Sequence, residues 1–205
     1  MYVKHNTTKM TEKPTTQHTN YTDTQIQNLI AQWYRTAQTP DTSTIQRAYD
    51  VIAQINEVWY DMIPVDVDHV QYDPYDDYAQ MRDETDCLGF LQVFAGGSRP
   101  KHMTHIDNVK GRAVHDWFGH LEADCDFSLS GEFTKFEHVK HRYPEWVRPL
   151  LFGEIVGQRA LAGHLTGGFT DRLFRQKAVF APDSLVDLCV EQLTYDKEQT
   201  MRHST

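Results

Sequence analysis

Two histidines separated by four residues give this sequence its clearest chemical signal. His115 and His120 lie in the stretch 112–120, RAVHDWFGH, which is predicted to be helical. Five residues of an α-helix turn through about 500° and rise about 7.5 Å, so the two Cα–Cβ directions differ by about 140°. Imidazole side chains are long enough to lean toward one point between them, each with a nitrogen about 2.1 Å from a metal ion. Gly119 has no Cβ and would leave room for that ion beside the backbone.

A carboxylate in an apolar stretch supplies the predicted third ligand. Glu154 lies in LLFGEIVGQ (150–158), where a charge is costly to bury unless it is paired, protonated or bound to a metal. Two imidazoles and one carboxylate form the facial triad of non-haem Fe(II) oxygenases, which leaves coordination positions open. His115, His120 and Glu154 therefore predict an iron-dependent oxygenase that acts on a small molecule with O₂.

Two other interpretations of these residues stay open. Zinc peptidases carry HExxH, with histidines four apart and a Glu beside the first, whereas here the spacing is five and Asp116 stands in the place of that Glu. This spacing argues against such a peptidase, but not against another zinc hydrolase that uses a metal-bound water. The third interpretation is a non-catalytic protein with a buried His/Glu cluster.

The segment 115–120, HDWFGH, resembles the H-[ED]-x-x-G-H iron motif of the pterin-dependent aromatic amino acid hydroxylases. The stretch 152–157, FGEIVG, is similar to the apolar helix that carries the downstream Glu in that family. The resemblance covers about residues 88–165, as a shortened and divergent relative. It implies Fe(II), with zinc as the alternative, held by His115, His120 and Glu154. It also implies that Arg99 grips the carboxylate of a substrate that could be aromatic, and it raises reduced pterin as a cosubstrate.

Residues beside the histidine pair are candidates for supporting roles. A ligating His usually donates its second ring nitrogen to a carboxylate or a carbonyl, which fixes the tautomer. Asp116 is the candidate catalytic carboxylate beside the pair. The side chains that could hold a ligating His are Asp116, Asp124, Glu132 and Gln158.

Periodicity places these residues in a mainly helical fold. A capping box at Thr22 and Gln25 predicts the start of the first helix, and the ranges 108–123 and 130–141 are predicted to be helical. Short strands are predicted over 66–72 and 88–94. The prediction is a single mainly helical domain over 23–205, with a small β element and the metal site between helices, after a flexible Thr-rich tail over 1–22.

Composition limits the function classes further. The 205-residue chain has 20 Lys and Arg against 29 Asp and Glu, a net charge of −9, so nucleic acid is not expected as its main partner. No apolar run approaches the roughly 18–20 residues that span a bilayer, and no secretory signal is evident. We therefore expect a cytoplasmic protein without membrane contact. The three cysteines form no CxxC pair, which argues against a thiolate zinc site.

Overall fold

The computed structural model describes residues 22–97, 99–166 and 176–192. Within these ranges the chain is mainly α-helical with a two-stranded parallel sheet, which confirms the predicted fold class. The helices are α1 (Asp23–Thr36), α2 (Thr42–Tyr60), α3 (Tyr78–Leu88), α4 (His105–Val114), α5 (Leu129–Val139), α6 (Arg148–Phe152), α7 (Gln158–Thr166) and α8 (183–192). The strands are β1 (Asp66–Val70) and β2 (Phe90–Phe94). Of the predicted tail over 1–22, only Thr22 lies among the described residues.

The first helix begins where its sequence predicts. The Thr22 hydroxyl accepts a hydrogen bond from the backbone of Gln25, and the Gln25 side chain accepts one from the backbone of Thr22. This reciprocal pair satisfies two N–H groups that a helix start leaves without partners. None of the described helices combines the length and apolar character that crossing a bilayer requires.

The two strands pair in parallel, with Asp66 opposite Phe90 and Val70 opposite Phe94. Parallel neighbours need a crossover, and here α3 provides it. This helix was not predicted, because its sequence is polar and only Met81 and Thr85 are buried. A capping interaction nevertheless marks its start, since the Asp77 carboxylate accepts from the backbone N–H of Gln80 at 2.9 Å.

The helix that carries the histidine pair changes its hydrogen-bond register partway along. From α4 the chain continues into a π-helical segment, π1 (His115–Leu121), in place of the continuous α-helix predicted over 108–123. In a π-helix each backbone N–H bonds to the carbonyl five residues earlier, as Glu122 does to Trp117 at 2.8 Å. Single π turns inside helices are frequent at functional sites.

A second π-helical segment, π2 (Gly153–Gly157), joins α6 to α7. Its two glycines permit close packing. A Cβ on Gly153 would lie 2.6 Å from the carbonyl oxygen of Val179, and one on Gly157 would lie 2.6 Å from the ring of Tyr34. The backbone around Glu154 is therefore pressed against α1 and the segment 176–182.

The apolar interior consists of two clusters that meet along α4 and π1. The larger cluster contains Val114 and Phe118 together with side chains of α1, α2, α5 and α6. The smaller cluster joins Val109 and Ala113 to the sheet and α3. Because π1 is packed by both clusters, its histidines are held between helices, as predicted.

Candidate metal centre

The π-helical register brings the two histidines together. The Nε2 atoms of His115 and His120 lie 3.1 Å apart, and the ring centroids lie 5.0 Å apart. On an α-helix these residues would point about 140° away from each other, and the rings would have to lean inward. Hydrogen bonding from i to i+5 places residues five apart on nearly the same face, so the backbone itself aligns the pair.

His120 is held in a defined tautomer. Its side chain is fully buried, and its Nδ1 lies 3.0 Å from the carbonyl oxygen of Cys125, which can only accept. Nδ1 therefore carries the proton, and the lone pair of Nε2 points toward His115. A backbone carbonyl that orients a ligating imidazole in this way is the usual arrangement at metal centres.

Glu132, on the first turn of α5, completes the group. Its Oε1 lies 3.6 Å from Nε2 of His120 and 3.9 Å from Nε2 of His115. A triangle with these sides and the 3.1 Å separation of the histidines has a circumscribed circle of radius about 2.1 Å. One point therefore lies at the distance that metal–nitrogen and metal–oxygen bonds require from all three atoms. Among the described residues, His115, His120 and Glu132 form the one group of this kind.

The predicted third ligand, Glu154, is not a member of this group. It lies in π2, on another wall of the same cleft, where the Gln158 amide donates to it at 2.9 Å. Glu132 was predicted only as a partner that could hold a ligating His. One signal could have singled it out: α5 buries both Glu132 and Lys135 on a stripe with Phe136 and Val139, which is unusual for two charged residues.

Lys135 is the nearest cation to the group. Its side chain is 1% exposed, and its ammonium contacts the Glu132 carboxylate and lies 2.5 Å from Nε2 of His115. Gly119 makes room for it, because a Cβ there would overlap Cδ of Lys135. The space expected beside Gly119 for a metal ion is thus occupied by the stem of this lysine.

The charges of the cluster keep its potential ligands in their metal-binding forms. Burial alone would raise the pKa of the Glu132 carboxyl, but Lys135 and the two histidines bring it well below its usual range. Desolvation, and then the Lys135 ammonium, lowers the pKa of His115 well below its ordinary value. At neutral pH the group therefore presents a carboxylate and a neutral imidazole.

Asp116, the predicted catalytic or supporting carboxylate, lies beside the group. Its Oδ1 lies 3.9 Å from Nε2 of His115, and its side chain is 24% exposed at the cleft wall. Burial raises the pKa of Asp116 to about 6.

A cleft of about 470 Å³ opens over the group. This volume is in the range that small-molecule sites occupy. The His115 side chain is 36% exposed, so the group is accessible from the cleft, whereas His120 is sealed beneath it. The polar and charged residues that line the cleft include Arg112, Asp116, Glu132, Lys135, Glu154, Gln158 and Arg159.

Arg99, the predicted substrate anchor, is not one of the residues that line this cleft. It is exposed, and its guanidinium donates to the backbone carbonyl of Met103. The arginine next to the histidine pair is Arg112, whose Nη1 donates to the carbonyls of Phe94 and Gly96 at 2.7 and 2.8 Å.

No family model, curated protein or solved structure matches the chain. What the described residues show is a mainly helical fold in which His115, His120 and Glu132 could hold a metal ion.

Proposed function

We propose that this protein is a metal-dependent enzyme whose His115, His120 and Glu132 hold one divalent ion, with non-haem iron oxygenase as its reaction class. The observation that carries the proposal is the single point about 2.1 Å from all three ligand atoms. The fixed tautomer of His120 and the ionised state of Glu132 supply the lone pairs that such an ion needs.

The donor set and the cleft support Fe(II) over the alternatives. Two imidazoles and one carboxylate leave coordination positions free, and bound Fe(II) in such a triad supplies O₂ binding and activation. Exposure of His115 to the cleft gives a small substrate access to that side of the centre. The resemblance to pterin-dependent hydroxylases makes a reduced pterin the first reductant to test.

A zinc hydrolase is the second candidate, and Asp116 is the observation that favours it. In that reaction class the metal-bound water is the nucleophile. Asp116 faces the cleft 3.9 Å from His115 Nε2, where its carboxylate would accept a proton or a hydrogen bond from such a water.

A cluster without metal is the third candidate, and Lys135 favours it. Its ammonium contacts Glu132 and lies 2.5 Å from His115 Nε2, so it supplies a positive charge among the same side chains. Enzyme and structural cluster therefore differ in one measurable respect, which is whether a divalent ion displaces the ammonium from Glu132 and His115.

Metal titration tests the proposal. Protein stripped with a chelator is titrated anaerobically with Fe(II), and separately with Zn(II), by calorimetry and by thermal melting. We expect one equivalent to bind and the melting temperature to rise with metal concentration, because the ion binds only the folded state. Binding should be lost in His120→Ala and Glu132→Gln.

Glu154→Gln is the matched control, since it removes another partly buried carboxylate of the same cleft and should leave metal binding intact. An unchanged melting temperature of the wild type with both metals would refute the metal centre. Equal loss of metal binding in Glu154→Gln would instead identify Glu154 as the third ligand, as the sequence predicts.

Nitric oxide separates oxygenase from hydrolase. With Fe(II) bound, an open coordination position should accept nitric oxide and give the paramagnetic signal of a high-spin iron nitrosyl. A site that binds Zn(II) but gives no nitrosyl signal with Fe(II) would favour the hydrolase. The metal found on purification does not decide this, because zinc binds such ligands more tightly than iron.

A further inference from the structure

A second polar wall of the cleft lies on π2, away from the metal group. Its central residue is Glu154, which lies on the cleft surface and is partly buried. The Gln158 amide donates to Glu154 Oε2 at 2.9 Å. The Tyr49 hydroxyl also lines this part of the cleft and, like Gln158, lowers the pKa of the carboxyl. Both groups are neutral, so neither of them compensates the negative charge.

No described Lys or Arg lies within ion-pair distance of this carboxylate. Arg159 and Lys135 line the same cleft, yet within the described ranges neither forms an ion pair with Glu154, and Lys135 is committed to Glu132. Consistent with this, burial raises the pKa of Glu154 to about 7, although Tyr49 and Gln158 act to lower it. A carboxylate at a cleft wall without a countercharge is a costly feature, and a ligand that carries the countercharge would offset that cost.

The surroundings of Glu154 offer further acceptors to such a ligand. The Gln176 amide donates to Gln158 Oε1 at 3.2 Å, so the donors of this chain are directed toward Glu154. The buried Oε1 of the same amide group has no hydrogen-bond partner among the described residues. The wall therefore has more acceptors than donors, which favours a ligand rich in N–H groups.

The backbone holds this wall in place. Gly153 and Gly157, on either side of Glu154, pack against the Val179 carbonyl and the Tyr34 ring with no space for a Cβ. The Tyr34 hydroxyl in turn donates to the carbonyl of Lys177 at 2.9 Å. A carboxylate on so constrained a segment is preorganised to bind a ligand.

We propose that Glu154, with Tyr49 and Gln158, forms a binding subsite for the N–H-bearing cationic group of a small organic ligand, such as an amidinium, guanidinium or ammonium. The carboxylate accepts charge-assisted hydrogen bonds from the cation, and the apolar part of the ligand lies along the remainder of the cleft. This subsite does not depend on a bound metal, because none of its residues belongs to the metal group.

The test compares two probes of nearly equal shape. Benzamidine is a planar cation with N–H donors, and benzamide is its neutral counterpart. Both are titrated by calorimetry into chelator-treated wild type at pH 8, where Glu154 is ionised. We expect benzamidine to bind at least about tenfold more tightly than benzamide, as charge-assisted hydrogen bonds require.

Two variants locate that preference. Glu154→Gln should bring the two affinities within about twofold of each other, since the amide keeps the shape and loses the charge. Asp73→Asn, which removes another carboxylate that lines the cleft, should retain the preference. Each variant is first checked for a cooperative thermal transition, and Glu154→Ala, which also removes the charge, takes the place of Glu154→Gln if that variant does not fold.

Equal affinities in the wild type would overturn the subsite, because they would mean that the chain itself neutralises Glu154. An undiminished preference in Glu154→Gln would overturn it as well. Since all titrations use metal-free protein, either failure is independent of the metal titration.

Discussion

The two π-helical segments border one cleft, but they present their ionisable side chains to different surroundings. In π1 the histidines meet a carboxylate and an ammonium, Glu132 and Lys135, so positive and negative groups are in contact. In π2, the groups that the described residues present to the Glu154 carboxylate are a hydroxyl and an amide, both neutral. A π-helical segment thus borders each of two different sites. In one, a cation lies among the ionisable side chains; in the other, the described residues place no cation beside the carboxylate.

This difference indicates which kind of ligand Glu132 and Glu154 can each bind. A metal ion needs several lone pairs aimed at one point, and π1 with α5 provides three. Among the described residues, no second or third metal ligand lies close enough to Glu154 to share an ion with it. It can bind a cation that brings its own N–H donors, but it would be a weak metal ligand alone. We therefore expect that substitutions around π2 leave metal binding unchanged, and that substitutions around π1 change it.

Removal of Lys135 should have the largest effect. Lys135→Met leaves the buried Glu132 carboxylate without its cation, and breaking a buried pair in this way costs about 3–5 kcal/mol of the free energy of unfolding. Urea unfolding of metal-free protein measures this loss. A divalent ion should restore much of it, because the ion supplies the missing charge.

The matched change beside π2 is Gln158→Met at the start of α7, which removes a neutral donor to Glu154 and should cost about 1–3 kcal/mol, with no recovery on adding metal. Equal losses in both variants, or equal recovery with metal, would show that the two segments are not electrostatically distinct.

The dependence of stability on pH should differ between Glu154 and Glu132. The pKa of Glu154 is raised to about 7 in the folded state, against about 4.3 when unfolded. Between these values the folded state binds more protons, so this carboxyl lowers the free energy of unfolding as pH rises, by up to about 4 kcal/mol. Urea unfolding from pH 4.5 to 8 should therefore show Glu154→Gln gaining stability relative to wild type across this window.

Glu132 has the opposite sign. Its folded pKa lies below its usual range, so its contribution is fully present above about pH 5 and is lost only in more acidic solution. The Glu132 carboxyl should therefore add no slope of its own between about pH 5.5 and 8, where Glu132→Gln and wild type differ only through neighbours such as Asp116, whose pKa is about 6. A flat difference between Glu154→Gln and wild type from pH 4.5 to 8 would contradict the raised pKa of Glu154.

Close packing around π2 predicts a smaller, purely steric effect. Gly153→Ala places a methyl group 2.6 Å from the backbone oxygen of Val179, which cannot move aside as a side chain can. Overpacking of this kind costs about 1–3 kcal/mol, measured by urea unfolding, while metal affinity should stay unchanged.

Gly163→Ala is the control. Its methyl would lie 2.7 Å from the terminal amide nitrogen of Gln27, the end of a flexible side chain, and alanine is favoured over glycine in a helix by up to about 1 kcal/mol. It should therefore be neutral or slightly stabilising. A neutral Gly153→Ala would mean that π2 is free to shift, and Glu154 with it.

The histidine pair could be predicted from the sequence because its spacing along the chain is a local feature. His115 and His120 share one short helix, so their separation in space depends on few residues. The π-helical register could not be predicted, since α and π turns differ only in which carbonyl each N–H bonds to. No residue type in 115–121 requires either turn. The sequence also could not identify the third ligand: Glu132 and Glu154 are both carboxylates on apolar helices, and only the packing of α5 against π1 decides between them.

The smallest effect is expected at Arg99. The sequence predicts that Arg99 binds the substrate carboxylate, but it is not among the residues that line the cleft. Arg99 is exposed and donates to one backbone carbonyl, so Arg99→Lys should change the free energy of unfolding by less than about 0.5 kcal/mol. Arg112→Lys, in contrast, disrupts a guanidinium that donates to two carbonyls at the end of β2, and should cost about 1–3 kcal/mol.

Ligand binding decides whether Arg99 belongs to the cleft at all. L-Phenylalanine is titrated by calorimetry into Fe(II)-loaded wild type and Arg99→Lys, and we expect no difference in affinity, because Arg99 does not line the cleft. Lysine cannot reproduce the planar fork that binds a carboxylate at two points, so weaker binding in the variant with unchanged stability would make the loop around Arg99 a third wall of the site. Recognition would then not be confined to π1, α5 and π2, and the resemblance to the hydroxylases would extend beyond the metal to the substrate.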